Sequence, residues 1–168
     1  MIIIIIYMIL SFLLDGLISN YISINIVDPS YLRTIYSVVA LVIIYNYFDN
    51  EGKYLKILLI LGILFDIVYT NTFLLNIFLF IIIYLFIKEI NIYIPNNLLT
   101  INLKSLLSII IYHSLSFLIL LLANYSNYSS KILWTIISRS IIMTAIYTTI
   151  SYFAIKKIYY KKYSKKIK

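Results

Sequence analysis

The chain contains no cysteine, so disulfides, thiol catalysis and cysteine-ligated metal are excluded together, and the compartment is left open. Glycine occurs three times and proline twice in 168 residues. So little turn-forming material argues for long helices joined by short loops, and against a β-barrel with its many hairpins. There is one histidine, His113, so a histidine metal site would lack companion ligands. A Ser–His hydrolase would also need an orienting acid and an oxyanion hole, and neither is visible. No glycine-rich phosphate loop, Walker-type sequence or paired carboxylates occur. No cofactor is expected, and no enzymatic activity.

What the chain does have is apolar side chain. It is 63% hydrophobic and 12% charged, with a mean hydropathy of +1.00. Soluble domains are nearer half apolar and a quarter charged. A water-soluble fold of this size has no interior large enough for such a composition, so lipid must be the solvent. The expected fold class is an all-α integral membrane protein, a bundle of about six transmembrane helices.

Spans are expected over residues 1–19, 33–48, 54–69, 73–87, 105–123 and 132–155. The first lacks a basic leader and a small-x-small cleavage site, which argues against a cleaved signal peptide. Asp28-Pro29 marks a turn or helix start, and residues 49–53 form the clearest hydrophilic break of the first half. Only Thr70-Asn71-Thr72 separates spans three and four, which implies an antiparallel helical hairpin. Residues 88–104, with Pro95-Asn96-Asn97, form the longest inter-span segment and have room for a short interfacial helix. With no internal repeat, residues 1–155 read as a single six-helix transmembrane domain and residues 156–168 as a basic cytoplasmic tail.

The net charge of +8 does not point to nucleic acid, because of where the lysines lie. Seven of the fourteen basic residues are Lys156, Lys157, Lys161, Lys162, Lys165, Lys166 and Lys168. Basic residues beside a span mark the cytoplasmic side, where anionic lipid contributes about 1 kcal/mol per lysine. Six spans with that tail inside also place Lys53, Lys56, Lys88 and Lys104 inside, leaving Arg33 and Lys131 outside. Both termini are therefore expected in the cytoplasm. The eighteen tyrosines cluster near the expected interfaces, where the ring stays apolar and the hydroxyl meets water.

Asp66 breaks the hydrocarbon of span three. A charge there costs about 2.5–3.5 kcal/mol on insertion scales, so it must face protein or water. Gly62, Tyr69 and Thr70 fall on its helix face. It reads either as a proton or ion site or as a buried anchor paired with a cation. The anchor is preferred because no other membrane carboxylate lies nearby in sequence. Arg139, deep in span six at a similar depth, is the natural candidate partner. Asp15 is expected to reach the interface, in the direction of Arg33. Asn71 is expected to cap the hairpin turn, and Asn76 to hydrogen-bond across helices. Ser105, Ser108, Tyr112 and Ser116 on span five, and Ser140, Thr144, Thr148 and Ser151 on span six, recur near one helical turn. They read as helix-packing faces ahead of a cavity lining.

The stretch GILFDIVYTNTFLLNIFLFIIIYLFI, residues 62–87, resembles the middle of the rod shape-determining MreD family. The matching residues are Gly62, Asp66, the turn Tyr69-Thr70-Asn71 and Leu75-Asn76. Length, span number and the Asp-Pro before span two also agree. Outside residues 27–90 the likeness is one of hydropathy and length. The resemblance implies a non-enzymatic scaffold of the bacterial cell-elongation (rod) complex in the cytoplasmic membrane. It would bind the bitopic partner MreC and, through it, the MreB filament and the peptidoglycan polymerase and transpeptidase. The lysine tail would meet anionic membrane lipid. The family is also said to resemble in fold the substrate-binding S-components of energy-coupling-factor vitamin transporters. A vitamin-binding subunit is therefore the alternative expectation, although span one lacks the small residues that would dock a coupling subunit.

Overall fold

A computed structural model describes residues 2–21, 34–48, 50–70, 72–123 and 130–164. Among these the chain is all-helical. In order the helices are α1 (Ile2–Tyr21), α2 (Tyr36–Tyr45), α3 (Glu51–Phe65), α4 (Leu75–Tyr93), α5 (Leu98–Leu122) and α6 (Ser130–Ser164), with a π turn, Asp66–Thr70, closing α3. Three of them, α4, α5 and α6, are long and apolar enough to cross a membrane. That marks the chain as a membrane protein.

The core is built around α2. Its ten residues rise about 15 Å, half the hydrocarbon thickness. It is therefore too short for the full span expected over residues 33–48. Every residue from Tyr36 to Ile44 is buried, because α1, α4, α5 and α6 all pack against it. A run such as Val38-Val39-Ala40-Leu41-Val42-Ile43-Ile44 has modest helix propensity in water. Enclosed in protein it has no other partner for its backbone N–H and C=O groups, and the helix follows.

Two further boundaries depart from expectation. The segment 88–104 is not a long connection. Helix α4 continues to Tyr93 and α5 begins at Leu98, so only residues 94–97 intervene. Pro95 stops the first helix, and Asn97 starts the second through a reciprocal capping box with Thr100. The lysine-rich tail is not a separate segment up to residue 164, because α6 carries straight on through Ser164.

The polar stripes of α5 and α6 face inward. Ser105, Ser108, Ser140, Thr144, Thr148 and Ser151 are all buried. Thr144 and Thr148 donate to the carbonyls of Ser140 and Thr144, and Thr144 Oγ1 also lies 2.6 Å from Thr34 Oγ1, ahead of α2. Small side chains on both helices let α5 and α6 lie close together.

Candidate functional site

Two helices begin without a side-chain cap of their own. Helix α2 has Ile35 at its N-cap, and α4 has Leu74, which lies in the left-handed region at φ 63°. Bare N–H groups at a helix start are costly in an apolar setting and carry partial positive charge. In both cases a carboxylate from a neighbouring element supplies the cap.

Asp15 on α1 does this for α2. Its Oδ1 accepts from the Tyr36 N–H at 2.7 Å and its Oδ2 from the Ser37 N–H at 2.9 Å. This replaces the expectation that Asp15 reaches the interface; Arg33 lies outside the described residues. The uncapped helix start is the nearer and better matched partner for a carboxylate.

Asp66 does it for α4. Its Oδ1 accepts from the Asn76 N–H at 3.0 Å, the Asn76 Nδ2 at 2.9 Å and the Thr72 hydroxyl at 2.6 Å. The π turn makes this possible, because it carries the chain from α3 around to α4 with Asp66 at its head. Gly62, one turn earlier, clears the way. A Cβ there would lie 2.9 Å from the Ile77 Cα, so α4 rests directly on the glycine. Asn76 is fully buried and extends the network, donating to Thr70 Oγ1 at 2.9 Å and accepting from the Tyr112 hydroxyl of α5 at 2.5 Å.

The two caps are neighbours through Tyr69, which follows Asp66 in the π turn and meets α1 beside Asp15. Tyr69 turns away from α4 and toward α1, where its hydroxyl donates to the Phe12 carbonyl at 2.5 Å and packs on Gly16. Gly62, Asp66 and Thr70 thus share the face toward α4, and Tyr69 does not. Asn71 lies outside the described residues. The anchor reading of Asp66 needs a different partner from the one expected. Asp66 makes no ion pair with Arg139, and the ion pair among the described residues is Lys88–Glu51 at 2.9 Å. A helix N–H, an amide and a hydroxyl meet Oδ1, while Oδ2 is buried with no hydrogen-bond partner among the described residues.

The opposite end holds a group that the spacing of the sequence did not single out. Lys104 is 1% exposed, and its Nζ donates to the Ile94 carbonyl at 3.0 Å, to Asn96 Oδ1 at 2.7 Å and to Asn91 Oδ1. An ammonium here closes the carbonyl end of α4, with the sign that the helix dipole favours. Asn96 also donates to Asn46 Oδ1 at 2.8 Å, tying this connection to the end of α2. Nearby, hydrogen bonds from Lys88 and Tyr84 hold the Glu51 carboxyl below its ordinary value. The available signal was position: Lys104 sits one residue before Ser105 on the face of α5 that turns inward. No group of three or more metal-binding side chains occurs among the described residues.

A scan against protein-family models finds no match, and neither the curated proteins nor the solved structures contain one.

Proposed function

We propose that this chain is an integral membrane scaffold of the bacterial cell-elongation complex, of the MreD type. It would sit in the cytoplasmic membrane as a six-span bundle of the S-component kind, with both termini cytoplasmic. The observation that carries the reading is the use made of Asp66. Its carboxylate is bonded within its own chain, to the start of α4 and to Asn76. A buried acid committed in this way holds helices in place instead of handing an ion or proton across. The residues that carry the resemblance have matching structural tasks: Gly62 admits α4, Asp66 caps it and Asn76 ties it to α5.

On this reading the bundle offers a rigid intramembrane surface to an MreC-like bitopic protein. The lysine-rich end of α6 lies against anionic lipid on the cytoplasmic side. The test is to deplete the chain in its host, score cell shape, and isolate the tagged protein from membranes. Loss of rod shape on depletion, with an MreC-like protein in the isolated complex, supports the proposal. Unchanged shape, or a vitamin retained through purification and identified by mass spectrometry, overturns it in favour of a transporter subunit.

A further inference from the structure

The α3–α4 hairpin is short between its charges. On α3 the last charged side chain before Asp66 is Lys56, and on α4 the first after the turn is Lys88, paired with Glu51. From Lys56 to Thr70, and again from Leu75 to Lys88, each leg rises about 20 Å. The hydrocarbon core is about 30 Å thick, and tilt only shortens the depth a helix reaches. A lysine stem can reach back toward headgroups, but not far enough to close that gap.

Helix α5 gives a scale within the same molecule. It starts beside the end of α4, across residues 94–97, yet has 25 residues against 19. Asn76, in the first turn of α4, meets the Tyr112 hydroxyl, and α5 runs on about 15 Å beyond Tyr112 to Leu122. The hairpin therefore turns back well below the end of its neighbour.

The apex does not suit the depth at which it stops. Residues 72–74 are not helical, and Phe73 is 88% exposed. Exposed backbone off a helix does not persist in hydrocarbon, where its N–H and C=O groups find no water. Shifting the hairpin outward would instead drag several charges into the core, which costs more than thinning the bilayer around a short segment. The side chains flanking the turn are nonetheless apolar, with Ile67, Val68 and Leu74 exposed by 71%, 56% and 51%. Lipid meets apolar side chains and an open turn together at one level, the boundary between chains and headgroups.

We infer that the hairpin apex binds the leaflet remote from the Lys88–Glu51 pair in a thinned state. Headgroups there are drawn down by about 10 Å to Phe73, while beside α5 and α6 they stay at full height. The surface is specific for lipid, and it exists with or without the scaffold role.

The absence of native cysteine permits depth to be read at single sites. Phe73→Cys and Ile142→Cys each carry a small fluorophore in phosphatidylcholine nanodiscs, quenched by lipids brominated either beside the headgroup or near the chain end. Both residues are exposed, so neither change disturbs the core. Ile142 lies within about one turn of the level of Tyr112, because α6 runs antiparallel to α5 from the Asn102–Thr149 contact. The expected result is that bromine beside the headgroup quenches position 73 several-fold more than bromine near the chain end, and that position 142 shows the reverse. If position 73 follows position 142 into the chains, the apex is immersed in a flat bilayer and the inference falls. If both report headgroups, the whole bundle is displaced and the bilayer is not thinned, which overturns it equally. If position 73 escapes both quenchers, protein covers the apex and lipid is the wrong partner.

Discussion

Asp66 takes three donors on one oxygen, so its replacement separates two roles that a simple loss-of-function test would merge. Asp66→Ala leaves the Asn76 N–H and one of its amide hydrogens buried without an acceptor and is expected to cost about 3 kcal/mol. Asp66→Asn keeps an oxygen in place and is expected to cost about 1 kcal/mol. Thermal unfolding of the purified protein in detergent reads both, and equal losses would argue that the charge itself matters. Gly62→Ala drives a methyl into the backbone of Ile77 and is expected to lose about 1–3 kcal/mol. Gly16→Ala meets only the tip of Tyr69, which can swing aside, so its melting temperature should fall less. That Asp66 serves structure was legible from a lone acid in a hydrocarbon run. Its partner was not, because opposite charges such as Arg139 stand out in a sequence and the bare N–H groups of a helix start do not.

The elements were legible in number and kind, and less so in extent. Hydropathy marks an apolar run, but it cannot tell a helix that crosses lipid from one enclosed by protein. Residues 36–44 are apolar for the second reason. Amide exchange should therefore protect Val38 to Ile44 most strongly of all segments, above the lysine-rich end of α6. The inward stripes give a second check. Ser108→Leu overpacks the α5 interior and is expected to lower stability by about 1–3 kcal/mol, while Ser138→Leu on the exposed face of α6 should be neutral. The extended α4 and α5 were obscured because Lys88, Glu89 and Asn91 look like a loop in sequence, yet they sit on a helix whose end Lys104 closes.

At the scale of the molecule, Asp15 and Asp66 cap helix starts at one end of the bundle, and Lys88 and Lys104 stand at the other. Single cysteines introduced at Lys56 and Lys131 should react with an impermeant maleimide from opposite sides of intact cells, with position 131 labelled from outside. The reverse pattern would invert the topology. The remaining consequence concerns the hairpin between α3 and α4. Leu74 holds a backbone geometry that crowds its own side chain, at about 1–2 kcal/mol. Its side chain is half exposed, so little packing is lost by trimming it. Leu74→Gly should raise the melting temperature, which makes this apex the one place where removing atoms toughens the protein.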